Sequence, residues 1–359
     1  MSTIDLAIKI MLKLHLLILV SLIFTGCTHL AYYAQAVRGQ WDIINRMQPI
    51  TKVVTQSSSS IQLQQQLRDI LKIRRFASQV LHLPDNRSYT YYADLDRPYA
   101  VWTVFAAPHF ALQLKQWCFP MVGCVSYRGY FNAESAQTLA QQLRAEGYDV
   151  YVAGVVAYST LGWFNDPVLN TMLTWSKVQI AGLIFHELAH QQLYIKDDTA
   201  FNESFASTVE EFGVERWLAQ YGTPEEIIEY QHACQQHKAF VNLVLATRYQ
   251  LQQLYQQPGL PKQLIAAKIN AFNTLRTRYT VLKNERWPSY TGYDSWFAHD
   301  LNNAKLLSVA TYQDWVPAFQ ELLAQLDNNL SQFYQQATQI SQLPVEQRQA
   351  YLQQLMITH

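Results

Sequence analysis

The sequence predicts an α+β fold, with strand patterns crowded into the first half of the chain and helix patterns filling the second. Three observations predict it. Between residues 88 and 158 the segments SYTYYADL, YAVWTVFAAP, CVSYRGYF and YDVYVAGVVAY are rich in β-branched and aromatic residues. Beyond residue 172 the chain reads as successive helices with Gln-rich polar faces. Pro and Gly interrupt them at Gly222-Thr223-Pro224, Pro258-Gly259, Trp287-Pro288 and Leu343-Pro344. No fixed-period repeat is visible, which excludes a solenoid. The composition fits a folded protein: only 15% of residues are charged, but 9 Trp, 22 Tyr and 16 Phe supply ample surface to bury. With Lys+Arg 27 against Asp+Glu 27 and no basic run, no face can replace phosphate counterions, so nucleic acid is excluded as a partner.

The elements follow in order. Residues 1–26 read as a signal peptide. The apolar run LHLLILVSLIF is preceded by Lys9 and Lys13 and is too short to span a bilayer comfortably. It ends in Thr25-Gly26-Cys27, which resembles a bacterial lipobox. That resemblance implies cleavage before Cys27, lipidation of its thiol, and a chain held on the cell envelope. Thr28 after the cysteine favours the outer membrane, facing the periplasm. Residues 27–85 form an N-terminal helical segment interrupted at Ser57–Ser60. In it Leu63, Leu67, Ile70 and Leu71 share one helical face. Residues 86–221 hold the strands, a helix near 134–146 ending at Gly147, and the motif described next. Residues 222–359 form a helical C-terminal region.

In an oxidising compartment Cys118 and Cys124, flanking FPMVG, suit a disulfide, because Pro120 and Gly123 allow a tight loop. Cys234 has no evident partner, and His232 and His237 beside it read as a surface helix.

Residues 181–190, AGLIFHELAH, carry a His-Glu-x-x-His motif. Four residues along a helix turn a side chain by roughly 40° and advance it by roughly 6 Å, so His186 and His190 can bind one metal ion. Glu187 then points beside the ion, where a general base for a water belongs. A catalytic zinc site needs a third protein ligand. Glu203 is the candidate, with twelve residues between it and His190 and with Asp197, Asp198 or Thr199 available to cap its helix. Asp197 and Asp198 are competing ligands but are more simply read as caps. Glu210, seven residues beyond Glu203, is placed to hydrogen-bond a ligand.

The string NESFASTVE resembles the NEGFA-type segment of gluzincin metallopeptidases, in which the Glu is the third zinc ligand, although the connection here is shorter. With YYAQAVRGQ, WCFPMVGCVSYRGYF, AYSTLGWFNDP, FHELAHQQLY, NESFASTVEEFG and LNNAKLLSVATY, the chain from residue 32 to 312 resembles the bacterial putative aminopeptidase family, described as zinc-dependent envelope lipoproteins. The resemblance implies a zincin-like core with a small mixed sheet and an active-site helix, one Zn²⁺, and a peptide substrate. The Gly-x-Met-Glu-Asn element with which larger aminopeptidases bind a free amine is absent.

On this reading His186, His190 and Glu203 hold zinc and Glu187 is the base. The strand VYVAGVVAY, the last before the motif helix, aligns the substrate backbone. Tyr158, Tyr293 and Tyr312 are the candidate oxyanion donors. Asn302, Asn303 and Lys305 either line the cleft or begin a helix. Two alternatives share the same residues: a zinc endopeptidase or envelope-remodelling hydrolase, and a non-catalytic lipoprotein scaffold with a structural zinc.

Overall fold

The strand segments form three small sheets rather than one. In the computed structural model, which describes residues 30–119, 123–257, 260–310 and 315–357, the chain divides into two compact units at Met47. The signal segment, Cys27 and Tyr312 lie outside the described residues. The described part of the first unit is a helix, α1, over residues 30–46, with Asp42 and Arg46 paired at 2.8 Å one turn apart.

The second unit opens with β1 (Gln48–Pro49), α2 (Ile50–Val53) and α3 (Ile61–Gln79). Ser60 caps α3 by accepting from Leu63 N. The predicted stripe on α3 is present but shifted one turn onward: Leu67, Ile70, Ile73, Phe76 and Ala77 are buried. Then come β2 (Tyr91–Ala93), β3 (Val101–Pro108), β4 (Trp117–Phe119), β5 (Gly123–Val125), β6 (Arg128–Tyr130), α4 (Ala133–Ala145), β7 (Tyr148–Val155) and β8 (Val168–Leu169). The sheets have the orders β1-β2-β8, β6-β3-β7 and β4-β5. Only the first is mixed, β1–β2 being antiparallel and β2–β8 parallel. The longest pairing is antiparallel, β3 with β7, from Val101↔Val155 to Pro108↔Tyr148.

A 3-10 turn (Asn170–Thr174) leads into the helices: α5 (Lys177–Gln192), α6 (Thr199–Tyr221), α7 (Pro224–Tyr255), α8 (Pro261–Arg286), α9 (Asp294–Ala298), α10 (Asn303–Ala310), α11 (Val316–Gln325), α12 (Leu330–Ser341) and α13 (Val345–Ile357). The breaks after α6, α7, α8 and α12 fall where the sequence places Pro or Gly, but those at 193–198, 299–302 and 326–329 hold neither residue and were not expected from that punctuation. Thr223 and Glu226 form a reciprocal cap at the start of α7, with hydrogen bonds of 3.0 and 3.2 Å. Both α4 and α10 pack on β3 and β7. With apolar neighbours on both faces, β3 buries nearly every residue instead of alternating.

One expectation is corrected here, and one that was left open is decided. The strand leading toward the motif helix ends at Val155, not near 158, and β8 follows it before α5. The backbone leaves the sheet because Thr171 Oγ1 takes the Val156 carbonyl and Asp166 closes residues 159–166 into a loop. Asn302, Asn303 and Lys305 serve the start of α10. Asn303 donates to the Pro108 and His109 carbonyls, and its own N–H goes to Asp149. Lys305 is 2% exposed, donates to the Trp296 carbonyl, and lies over the rings of Tyr151 and Trp296. Burial pulls its ammonium down to about 8.

The core that carries the motif is α5 packed between α3 and α6. Helix α5 is apolar over most of its surface, as a helix covered by neighbours must be. Phe185 meets Phe76, whose ring also meets Trp217 edge-on. Helix α6 approaches closely because residue 213 is glycine; a Cβ there would lie 2.7 Å from Leu81 and 2.8 Å from Phe185.

Candidate metal centre

Ser176 starts α5, accepting from Gln179 N while the Gln179 side chain accepts from Ser176 N. From that start, helical pitch brings His186 and His190 together on the final turns, their Nε2 atoms 3.1 Å apart. The chain turns back over residues 193–198, and Asp198 caps α6 by accepting from Phe201 N. Glu203 therefore stands in the second turn of α6, with carboxylate oxygens 3.4 Å from His186 Nε2 and 3.7 Å from His190 Nε2. Among the described residues these three form the one group of three or more side chains arranged to hold a metal ion. Tetrahedral zinc with ligands at about 2.1 Å has ligand–ligand edges of about 3.4 Å. The three separations fit that geometry, and the donor set of two imidazoles and a carboxylate fits the ion.

The second histidine nitrogens differ. His186 Nδ1 lies 2.9 Å from Glu210 Oε2. A carboxylate there keeps a proton on Nδ1, so that a metal ion would meet the Nε2 side of the ring. His190 Nδ1 is buried and has no hydrogen-bond partner among the described residues. The charges diverge accordingly. Burial drives His190 down to about 4. Burial also acts to lower His186, but its hydrogen bonds to Glu203 and Glu210 outweigh that and hold it well above its ordinary value. Glu203 is likewise lowered against the effect of burial, by the two histidines.

Glu187 is beside the cluster. Desolvation raises its carboxyl to about 7; His186 acts against the rise, Glu203 and Asp166 add to it, and a hydrogen bond from the Ser159 side chain opposes it. Ser159 belongs to the loop after β7. Its hydroxyl also reaches Asp166, which accepts from Thr160 N and Thr160 Oγ1.

The connection between the two halves of the site is pinned on three sides. Asn202 exchanges two hydrogen bonds with the Ile195 backbone. Asp197 accepts from Cys124 N in the β4–β5 hairpin, where Cys118 and Cys124 are disulfide-bonded. Asp198 receives Arg348 of α13, Nη2 at 2.7 Å and Nε at 3.0 Å. Both aspartates are thus committed to the connection, and of the three candidate third ligands Glu203 is the one that turns to the histidines.

Of the tyrosines singled out in the sequence, Tyr158 packs edge-on against Phe131, and burial with Asp166 pushes it up to about 12. The Tyr293 hydroxyl lies 3.0 Å from His237 Nδ1 and its ring stacks on Phe240. Sequence reasoning missed Tyr127 and Tyr194. Burial, first, and then the charge of Glu203 raise both, and Tyr127 also feels Glu187. Nothing local marks them among 22 tyrosines. Ser159, Asp166 and Arg348 were missed for the same reason. Cys234 lies exposed on α7.

Residues 31–352 match the family described as Putative aminopeptidase, and the chain belongs to that family. No curated protein and no solved structure matches the chain.

Proposed function

We propose that the chain is a zinc-dependent peptidase with a zincin-like core, acting as an aminopeptidase. The observation that carries the reading is the convergence of His186, His190 and Glu203 within 4.8 Å, with Glu187 one residue from the first histidine. The family description supports a peptide substrate. Zinc, when bound, supplies a Lewis acid that polarises a carbonyl and brings the pKa of a water toward about 7. His186 Nε2, His190 Nε2 and the Glu203 carboxylate would hold it. Glu187, whose carboxyl desolvation raises to about 7, takes a proton from the attacking water and returns it to the departing amine nitrogen. Ser159 fixes the orientation of the Glu187 carboxyl. Tyr127, whose hydroxyl feels both Glu203 and Glu187, is the donor for the developing oxyanion. The strand β7, paired with a strand on one side only among the described residues, offers its other edge to substrate backbone, apart from the Val150 carbonyl, which Asn302 takes. Lipidation at Cys27 would hold the chain at the outer membrane, facing the periplasm. Among the described residues no helix is long and apolar enough to cross a membrane.

The test is metal analysis of the full-length chain together with assays on free-amine and N-blocked peptides. One zinc per chain and turnover of free-amine peptides are expected. Glu187→Gln should retain zinc and lose turnover by at least 10²-fold. Undiminished activity in Glu187→Gln would sink the mechanism, and turnover of blocked peptides would make the protein an endopeptidase.

A further inference from the structure

Glu210 reaches His186 from the neighbouring helix, and the space it passes through is specific. Gly182 stands one turn before His186 on α5. A Cβ built on Gly182 would lie 2.9 Å from Glu210 Oε1, and 3.4 Å from Glu210 Cγ and Val214 Cγ2. Real side chains do not tolerate the first of these contacts. The carboxylate that binds His186 Nδ1 at 2.9 Å therefore occupies the volume that any side chain at residue 182 would claim.

We infer that Gly182 is a positioning residue for the metal centre: its missing side chain is the slot through which Glu210 orients His186. The inference rests on the metal reading of the site. The nature of the obstructing atoms separates Gly182 from an ordinary helix-contact glycine. At Gly213 the atoms in the way are Leu81 and Phe185, part of the packed core. At Gly182 the nearest is the end of a flexible side chain that is 38% exposed. Such a group can swing into solvent without disturbing the fold. What is lost is the hydrogen bond that fixes the His186 tautomer and ring angle, and such partners typically govern metal affinity by 10- to 100-fold. Gly182 lies inside a regular helix, where alanine is preferred over glycine, so the substitution should favour folding of α5.

The experiment compares wild type, Gly182→Ala, Glu210→Ala and the double variant as full-length chains. Each is stripped of metal and titrated with zinc against a chromophoric chelator, and thermal unfolding of the metal-free forms is recorded. Gly182→Ala should weaken zinc binding about tenfold, as should Glu210→Ala, and the double variant should be no weaker than Glu210→Ala. The metal-free melting temperature of Gly182→Ala should be no lower than that of Glu210→Ala, since both lose the same hydrogen bond and the first gains helix propensity. Wild-type zinc affinity in Gly182→Ala, a further loss in the double variant, or a metal-free melting temperature of Gly182→Ala below that of Glu210→Ala would each overturn the inference while leaving the metal reading intact. A wild-type chain that binds no zinc would instead overturn the metal reading, and the role of Gly182 with it.

Discussion

Replacing Arg348 by Met tests how the C-terminal helix supports the centre. The Arg348 guanidinium is buried and makes four hydrogen bonds: two to Asp198 Oδ2 at 2.7 and 3.0 Å, one to the Ser341 carbonyl at 3.2 Å and one to the Leu343 carbonyl at 2.9 Å. Methionine fills much of the same volume but strands Asp198, whose side chain is only 17% exposed, and two carbonyls. Breaking a buried pair from one side costs about 3–5 kcal/mol. The unit Gln48–His359, roughly 310 residues, unfolds with an entropy of about 0.65 kcal/mol/K at about 2.1 cal/mol/K per residue. The melting temperature should therefore fall by about 5–8 °C in a circular-dichroism melt. Asp198→Asn should cost a comparable amount, and the double variant should be less destabilised than the two effects added together. A melt within about 1 °C of wild type, or strict additivity, would refute the claim that Arg348 and Asp198 hold one another.

Chelation should lower the melting temperature and zinc should restore it, by about 2.7 kcal/mol or roughly 4 °C when free zinc is 100 times its dissociation constant. In the metal-free chain two titrations oppose one another between pH 4.5 and 6.5. His190 is neutral down to about 4 when folded but protonates near its ordinary 6.5 when unfolded, so its contribution is complete above 6.5 and is lost as pH falls. Glu187 titrates at about 7 when folded and near 4.5 when unfolded, so it binds its proton in the folded state and stability falls as pH rises. In urea unfolding, Glu187→Gln should accordingly make stability climb with pH by about 1.4 kcal/mol per unit relative to wild type, and His190→Gln should make it decline by as much. Parallel pH profiles for all three chains would show that the two groups do not titrate as stated. Loss of the disulfide, by Cys118→Ser with Cys124→Ser, should cost about 2 kcal/mol through the small loop it closes, roughly 3 °C on the melt. An unchanged melt would mean that the β4–β5 hairpin is held without it.

Much of the centre is legible because its geometry is local. Four residues of helix are enough to bring His186 and His190 together, and an aspartate before a polar-apolar run is enough to start α6 and place Glu203 in its early turns. The strands were also legible as short apolar segments, but their partition was not. Whether VYVAGVVAY continues to 158 depends on Thr171 capturing Val156 and on Asp166 gathering Thr160, contacts that a strand pattern does not encode. The choice among tyrosines was beyond the sequence for a related reason: with 22 present, only burial beside Glu203 distinguishes Tyr127 and Tyr194.

By itself, then, the sequence determined the α+β order, the helix breaks that carry Pro or Gly and the pairing of two histidines with two glutamates, all set by backbone pitch, capping and turn chemistry within a few residues. Only the tertiary structure decided what surrounds them. It commits Asp198 to Arg348 of the last helix, 150 positions away, gives Ser159 to Glu187, and fills the gap at Gly182 with Glu210. Those choices depend on which surfaces meet when the helices and sheets close. Meeting surfaces desolvate charges and exclude side chains, and neither effect has a spacing that can be read along the chain.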